Sequence, residues 1–328
     1  MSSIMTNTAA LTALQSLNST NKNLEATQSR ISTGYKVSQA SDNAAYWSIA
    51  TTMRSDNQAM STVSDALGLG ASKVDTAYTG MDSAITTINA IQQKLTGSYG
   101  QTDAAKEKTQ VEIAALQKQL KAYADGATFS GTNMLSVSTA SGTAADIKIV
   151  SAFNRSATGA VSISTIDVNV ESIKLYDAGA APTAKGILDT ARLGTTGAAV
   201  ATASAPTLGA AAAATDTYSV AGLAISVGGV AASDTQIQQM MNVVDAALKD
   251  MTNAATKLGA AKSSIDLQKT FTSSLMDSID RGIGQLVDAD MNKESTRLQA
   301  LQVQQQLGIQ ALSIANGSSQ SILSLFRG

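Results

Sequence analysis

The 328-residue sequence contains no cysteine, no histidine, only two prolines and only 4% aromatic residues. Without cysteine the chain can form neither a disulfide nor a thiolate metal site. Without histidine it lacks the commonest general base and the commonest metal ligand. No Gly-rich phosphate loop and no carboxylate cluster in a recognisable frame stands out either. We therefore expect a protein that is not an enzyme and that uses no cofactor and no metal.

Charge is also scarce, at 15% of residues, and it is nearly balanced, with a formal net charge of −2. The absence of a basic cluster argues against nucleic acid as a partner. No run approaches the roughly 20 apolar residues of a membrane-spanning helix, so we expect no membrane insertion. The first basic residue is Lys22, so we expect any export to proceed without a cleaved signal of the type that opens with basic residues.

Long stretches at both ends carry no charge at all. No Asp, Glu, Lys or Arg occurs from Met1 to Asn21, nor from Leu298 to Phe326. A segment at a chain end has few covalent neighbours to pack against. We therefore expect each end to pack on the other and on neighbouring copies, and to stay disordered until it does. The pattern predicts a self-assembling subunit.

A seven-residue apolar repeat runs through both halves of the chain. It occupies every seventh position from Met53 to Leu95 and again from Ile237 to Ile279, where Thr272 fills one position and Lys262 interrupts the second row. Paired rows of this kind predict long helices that pack as coiled coils. We therefore predict a mainly α fold, a long antiparallel coiled-coil bundle of the N- and C-terminal halves with an inserted small β-rich outer domain.

The middle of the chain has a different composition. From Ser136 to Ser233 it is rich in Ala, Gly, Thr and Ser, and the helical repeat disappears. Short alternating runs such as Val161 to Val170, Ile173 to Leu175 and Val220 to Val227 predict strands. The low-complexity stretch from Gly194 to Ala214 is predicted to be a surface turn that tolerates deletion.

The boundaries of two helices are also predicted from the sequence. The first long helix is expected to end near Gly97 to Gly100 because glycines cluster there. A second helix is expected from about Asp103 to about Tyr123, carrying Ile113, Leu116 and Leu120.

Several segments resemble the signatures of bacterial flagellins. Ser29 to Ala50 reads Ser-Arg-Ile-Ser-Thr-Gly-Tyr-Lys-Val-Ser-Gln-Ala-Ser-Asp-Asn-Ala-Ala-Tyr-Trp-Ser-Ile-Ala, similar to Ser-x-Arg-Leu-Ser-Ser-Gly followed by Ala-x-Asp-Asp-Ala-Ala. Asp288 to Glu294 resembles the family's Ala-Asp-x-x-x-Glu region. Ala315 to Leu325 resembles its terminal Ala-Asn-x-x-x-Gln-x-x-Leu-x-Leu pattern, and Phe129 to Leu135 its Phe-x-Gly-x-x-x-Leu turn. The likeness covers both ends but not the middle, and it is strongest to the short flagellins of rhizobial-type soil bacteria.

The resemblance implies a structural subunit that is exported unfolded through the flagellar secretion channel and polymerises outside the cell into the filament used for swimming. Residues 1–40 with 286–328 would be the inner terminal helices of the filament core. Residues 41–137 with 234–285 would form a helical bundle with a short β-turn region, and 138–233 a β-rich, surface-exposed variable domain. The implied partners are other copies of the chain, sister flagellins, an export chaperone at the C-terminal helix, and the filament cap and hook-junction proteins.

The resemblance also implies roles for single residues. Arg30, Asp42 and Asp290 are isolated charges near apolar seams, where we expect ion pairs between subunits or, as the alternative, a solvated face. Gly34 would relax the backbone between the inner and outer helical layers. The other residues assigned to the polymerisation interface are Asn7, Leu11, Leu14, Leu17, Leu24, Leu298, Leu301, Leu312, Ile322 and Leu325.

Ser29–Ala50 also corresponds to the peptide that the plant flagellin receptor binds. Recognised forms usually carry Lys-Asp-Asp-Ala-Ala-Gly-Leu, whereas this chain has Ser-Asp-Asn-Ala-Ala-Tyr-Trp at residues 41–47. Because a groove shaped for glycine would clash with Tyr46, we expect weak or no recognition, unless other contacts preserve it. Residues 91–95 lack the arginines that the animal Toll-like receptor favours, so the same is expected there. The residues singled out in this epitope-like segment are Ser29, Gly34, Asp42, Asn43, Tyr46 and Trp47.

Two other classes of protein were weighed against a filament subunit. A hook–filament junction protein shares the terminal pattern, but it usually diverges at the two signatures that are present here. An unrelated secreted helical protein, such as a membrane-active translocator, would need a cationic amphipathic face or a long apolar run, and the sequence has neither. An enzyme is the least supported class.

Overall fold

The structure is a computed structural model that describes residues 7–138, 144–156, 158–177, 185–201 and 203–325, without the side chains of 318–325. The described α-helices are α1 (Thr8–Thr33), α2 (Ala44–Ser98), α3 (Asp103–Gly126), α4 (Asp234–Val287) and α5 (Met291–Leu325). The described strands are β1 (Thr128–Phe129), β2 (Thr132–Asn133), β3 (Ser136–Val137), β4 (Ile147–Arg155), β5 (Val161–Val168), β6 (Tyr176–Asp177), β7 (Arg192–Leu193), β8 (Thr217–Tyr218), β9 (Ser226–Val227) and β10 (Val230–Ala231).

The predicted mainly α, coiled-coil fold is confirmed. The heptad positions Leu67, Val74, Met81 and Ile88 of α2 are fully buried, because the seven-residue spacing keeps them on one side of the helix. In the matching row of α4, Val244, Met251, Leu258 and Ile265 are fully buried too, and Ile279 near its end is half-buried. The predicted helix boundaries also hold, since α2 ends at Ser98 and α3 runs from Asp103 to Gly126.

The chain forms two compact units. Unit 1 comprises Met1–Gln58 and Leu275–Gly328, and unit 2 comprises Ala59–Ser274. The boundaries between the units therefore fall within α2 and α4. The division of the chain into three parts, expected from the sequence, stays a prediction.

One hydrophobic core in unit 2 contains residues of both the helices and the middle of the chain. Ile149 of β4 and Leu175 are buried in the same cluster as Leu67 and Ile237. The β4 side chain approaches the helix closely, since a Cβ added to Gly70 of α2 would lie 2.3 Å from Cγ2 of Ile149. A residue larger than glycine at position 70 would therefore push the strand away from α2.

The middle segment contains less regular strand than its alternating pattern predicted. Antiparallel β4 and β5 form a long hairpin with an irregularity between Val150 and Ala152, as the pattern predicts. The predicted strand at Ile173–Leu175 is wrong: a 3-10 helix at Val170–Ser172 precedes it, and the short strand β6 begins only at Tyr176. Of the predicted run from Val220, only Ser226–Val227 is strand.

Glutamine side chains on α3 and α4 form hydrogen bonds with backbone groups of the middle segment that are not paired in a sheet. Gln117 Nε2 donates to the carbonyls of Val220 and Leu223 at 2.8 and 2.9 Å. Fully buried Gln236 donates to the Thr207 carbonyl at 2.9 Å and accepts from Gly209 N at 3.3 Å. Buried backbone groups need partners, and here helix side chains supply them where a strand ladder does not.

Candidate assembly surface

In unit 1 the two terminal helices pack side by side in opposite directions. Asn7, which precedes α1, donates from Nδ2 to the carbonyl of Ala315 at 2.9 Å. Further along, Gln305 Nε2 of α5 donates to Asn21 Oδ1 at 2.8 Å. Because α5 residues are met in reverse order along α1, the helices are antiparallel, as expected for chain ends that pack on each other.

The pair is completed by one ion pair and one close approach. The Arg30 guanidinium lies 3.5 Å from the carboxylate of Glu294, whose side chain is nearly buried. Leu17 lies against Gly308, where an added Cβ would be 3.0 Å from the leucine Cδ1. Asn7 also accepts the Ala10 amide at 3.1 Å and so stabilises the first turn of α1.

The segments that leave α1 and α4 are joined by backbone hydrogen bonds. Gly34 ends α1 in the left-handed conformation, with φ of 75°, and its amide donates to the Arg30 carbonyl at 2.9 Å. This geometry favours glycine, and the role of Gly34 between the inner and outer helical layers stays a prediction. The Lys36 amide donates to the carbonyl of Val287 at 2.7 Å, and Ala289 N donates to the carbonyl of Gly34 at 2.8 Å.

Each of the three charges predicted to pair between subunits has an intramolecular partner. Arg30 pairs with Glu294, and Asp290 accepts the amides of Asn292 and Lys293 at the start of α5 at 3.0 and 3.2 Å. Asp42 accepts the backbone amide of Ser38 at 2.9 Å. This hydrogen bond, and a second from the Gln39 amide, hold the pKa of Asp42 below its ordinary value.

The predicted interface leucines differ in how far the single chain covers them. Leu301 is buried, whereas Leu11 and Leu14 are exposed. Leu17, Leu24, Leu298 and Leu312 are half-buried. The side chains of Ile322 and Leu325 lie outside the described residues. The structure therefore brings most of this set to the α1–α5 pair but covers only part of it.

Sequence reasoning missed a second apolar face on α5. Val303, Leu307 and Ile314 lie on one side of α5 and are more than half exposed, with Ile314 reaching 73%, whereas Ile309, 54% exposed, lies on a different side. A helix that is apolar on several sides is normally buried on several sides. The charge-free composition from Leu298 to Phe326 was the available signal, but a seven-residue reading selects only one stripe of it.

Comparison with known proteins identifies the family. Residues 4–140 match the bacterial flagellin N-terminal helical region and residues 241–326 match the bacterial flagellin C-terminal helical region. Flagellin C of Rhizobium meliloti strain 1021 is 48% identical over 335 positions, covering 100% of both chains. The flagellin of Brucella melitensis biotype 1 is 46% identical, again over 100% of both chains. The chain belongs to the bacterial flagellin family.

Flagellins are the structural subunits of the bacterial flagellar filament, and the full-length similarity makes this chain a subunit of that kind, of the alphaproteobacterial type. This result favours a filament subunit over the hook–filament junction protein considered from the sequence. Within the described part of the chain, no group of three or more acidic side chains is arranged to hold a metal ion. Nor does that part contain a helix with the length and apolarity needed to cross a membrane.

The epitope-like segment of this flagellin is held at the start of α2. Asn43 accepts the Tyr46 amide on its side chain at 3.1 Å and the Trp47 amide on its carbonyl at 2.9 Å. Both aromatic side chains are exposed. Tyr35, also exposed, lies beneath the guanidinium of Arg54, whose carbon is 4.9 Å from the ring centroid. Ser29 is exposed near the end of α1.

Proposed function

We propose that this flagellin polymerises through its antiparallel α1–α5 pair, and that neighbouring copies cover the apolar surface that the pair leaves exposed. The observation that supports this proposal is the exposed apolar face of α5, which includes Leu307 and Ile314. Burial of apolar area yields roughly 25 cal/mol per Å², and exposed patches of this kind mark protein interfaces. The proposed interface comprises the leucines predicted from the sequence together with this second face.

A matched pair of variants tests the proposal. Ile314→Asp places a carboxylate at a position that is 73% exposed in the single chain, and Val111→Asp does the same on α3 at a position that is 69% exposed. We expect seeded filament growth, followed by electron microscopy, to stop with Ile314→Asp and to continue with Val111→Asp. Normal filaments from the Ile314 variant would contradict a role for this face.

We further infer that the chain is exported before assembly, without enzymatic activity of its own, and acts in the extracellular filament. The apolar face of α5 supports a role for an export chaperone, since this face needs cover in the monomer. The filament cap and the hook-junction proteins would contact the same terminal helices at the two ends of the polymer. Competition between a 291–325 peptide and the full chain for the cognate chaperone tests this part.

The three-part organisation is also proposed for the filament. Residues 1–40 with 286–328 would lie innermost, 41–137 with 234–285 outside them, and 138–233 at the outer surface. Density from an electron-microscopy reconstruction of the filament, assigned residue by residue, would test this order directly.

A further inference from the structure

A cavity in unit 2, called the Asp189 cavity, is lined by two opposite charges that are not paired with each other. It has a volume of about 330 Å³, and both Lys185 and Asp189 line it. Within the described part of the chain, the Lys185 ammonium has no ion-pair partner. Asp189 accepts only the Asp177 amide there, through Oδ2 at 3.0 Å. The cavity therefore contains one unpaired cation and one carboxylate with an unused oxygen.

Much of the remaining wall of the Asp189 cavity is apolar. Pro206, Leu208 and Tyr218 contribute to it. The Tyr218 hydroxyl donates to Oε1 of Gln239 at 3.1 Å, so it adds no unpaired polar group to the wall. The volume is about twice the roughly 150 Å³ of an engineered protein cavity that binds benzene. The cavity therefore has room for an apolar group of that size as well as for charged ends.

The turn that carries both charges is held in place by backbone hydrogen bonds. The Leu188 amide donates to the Leu175 carbonyl at 3.0 Å, and the Thr190 amide donates to the Gly186 carbonyl at 3.0 Å. The opposite wall is joined to the same turn, because the Ala221 amide donates to the Leu188 carbonyl at 3.0 Å. Binding sites for small ligands are usually largely preformed, and these contacts meet that condition.

The surroundings of Asp189 favour an additional cation beside it. Burial and the charge of Asp177 raise the pKa of the Asp189 carboxyl, and the Asp177 amide, Lys121 and Lys185 offset this only in part. Lys121 is itself paired with Asp125 at 3.4 Å. A ligand ammonium at Asp189 would therefore stabilise the charged carboxylate. The Lys185 ammonium, which is exposed, could at the same time donate to a ligand carboxylate.

A larger cavity in the same unit offers no comparable charges. It has a volume of about 590 Å³ beside α2 and α3, and its lining includes Ser72, Asp75 and Thr76. The Asp75 carboxylate pairs with the Lys262 ammonium. The hydroxyls of Ser72 and Thr76 donate to carbonyls of their own helix at 3.0 and 2.8 Å. Because these polar groups already have partners within the chain, ligand binding is favoured at the Asp189 cavity.

We propose that the Asp189 cavity binds a free α-amino acid with an apolar side chain. The ligand ammonium would lie at Asp189, its carboxylate at Lys185, and its side chain against Leu208 and Tyr218. An amine alone would leave Lys185 without an anion, and a carboxylate alone would leave Asp189 without a cation. A zwitterion satisfies both charges at once. This binding goes beyond polymerisation and does not depend on it, because a single chain carries the complete site.

Saturation-transfer NMR titrations of the full-length monomer at neutral pH test the ligand class. The probes are L-leucine, isoamylamine, which lacks the carboxylate, and isocaproate, which lacks the ammonium. Loss of one charge-assisted contact should weaken binding about tenfold or more, so both analogues should bind more weakly than L-leucine by that factor. Absence of transfer from the wild-type chain to L-leucine, or equal binding of the three probes, would overturn the proposal.

Two variants identify which residue binds which end of the ligand. Asp189→Asn keeps an oxygen that accepts the Asp177 amide but removes the charge, so it should abolish the preference for L-leucine over isocaproate. Lys185→Gln should instead abolish the preference for L-leucine over isoamylamine. Lys148→Gln, which removes an exposed lysine of β4 outside the cavity, should leave all three affinities unchanged. Equal weakening of all three probes by Asp189→Asn and by Lys185→Gln would indicate a structural role only and would contradict the proposal.

Discussion

Leu17 of α1 and Gly308 of α5 meet so closely that a Cβ at position 308 would lie 3.0 Å from the leucine Cδ1. Gly317, on the same helix, has open space around its own hypothetical Cβ. Glycine within a helix costs about 1 kcal/mol relative to alanine, so its presence at 308 needs a reason. Close packing of the two terminal helices provides one.

This contact predicts opposite tolerance at the two glycines. Gly308→Val should weaken the α1–α5 pair, because overpacking a tight contact costs about 1–3 kcal/mol. Gly317→Val should be tolerated. Critical concentrations for seeded polymerisation, measured for both variants, check the expectation. Equal impairment by the two substitutions would show that the Leu17 contact is not the cause.

The terminal helices of the monomer should be the first part of the chain that a protease removes. Thr27 is the one fully buried residue of the 26-residue helix α1. A helix held by so little burial gains little from tertiary packing, and isolated helices are marginal in water. Limited proteolysis should trim residues 1–40 and 286–328 from the monomer but not from filaments. Equal resistance in the two states would contradict the expectation.

A carboxylate within the α1–α5 seam should abolish assembly. Leu301 is buried in the single chain, so Leu301→Asp would bury an unpaired charge, which costs several kcal/mol in each subunit. Leu312→Asp should have a similar but smaller effect, because Leu312 is half-buried. Sedimentation of polymer checks both variants, with Val111→Asp as the exposed control. Swimming of cells whose sole flagellin is Leu301→Asp would refute the prediction.

A buried ion cluster should be needed for the stability of unit 2. The Lys174 ammonium, fully buried, lies 2.8 Å from Asp177 and 2.9 Å from Glu171. Removing one partner of a buried pair typically costs about 3–5 kcal/mol, so Lys174→Met should lower the denaturant midpoint clearly. Changing Asp177 to Leu as well should recover part of the loss, because it removes a carboxylate left without its cation.

The same cluster predicts how stability changes with pH. Burial alone would lower the pKa of Lys174, but its hydrogen bonds to Asp177 and Glu171 outweigh burial and raise that pKa above 10.5. A raised lysine pKa gives stability that is fully present below about pH 10.5 and is lost as pH rises through the folded value. Denaturation of the monomer between pH 9 and pH 12 should show a larger loss of stability in wild type than in Lys174→Met. Part of the loss should remain in the variant, because burial raises the pKa of Tyr218 to about 12.

The epitope-like peptide should be a weak agonist. A synthetic Ser29–Ala50 peptide should give little oxidative burst in responsive leaves, because charge-assisted contacts are lost and Tyr46 occupies a glycine position. Each lost contact of this type typically costs about 2–5 kcal/mol. A peptide carrying Ser41→Lys, Asn43→Asp, Tyr46→Gly and Trp47→Leu should recover activity. A full burst from the unmodified peptide at nanomolar dose would show the reasoning to be wrong.

The long helices could be predicted because a buried helix face produces a seven-residue apolar repeat in the sequence. Even the apparent fault at Lys262 has a structural counterpart, since its ammonium pairs with the Asp75 carboxylate of α2. Buried hydrogen bonds from side chains to the backbone produce no comparable pattern. Nothing in the sequence distinguishes Gln236, fully buried against backbone, from glutamines that face water.

The segment from Gly194 to Ala214 shows how such contacts, which cannot be read from the sequence, change an expectation. Its composition predicted a turn that tolerates deletion, yet Gln239 donates to the Ala213 carbonyl at 2.9 Å and Asn242 to the Gly194 carbonyl at 3.1 Å. Arg192 also donates to the Gly197 carbonyl at 3.4 Å. A deletion here would leave several buried polar groups of unit 2 without partners, so the expectation of tolerance is revised.

The hydrogen bonds between the segment at Gly34–Lys36 and the segment at Val287–Ala289 have a mechanical consequence. Where a single chain segment links two helices, any tension on one helix is transmitted through that segment alone. Here the two linking segments are joined by hydrogen bonds, so tension along α1 is shared between α2 and α4. A rotating propeller loads its subunits in torsion with every turn of the motor. The connection of the terminal helices to α2 and α4 is therefore stiffer than a single linking segment would make it.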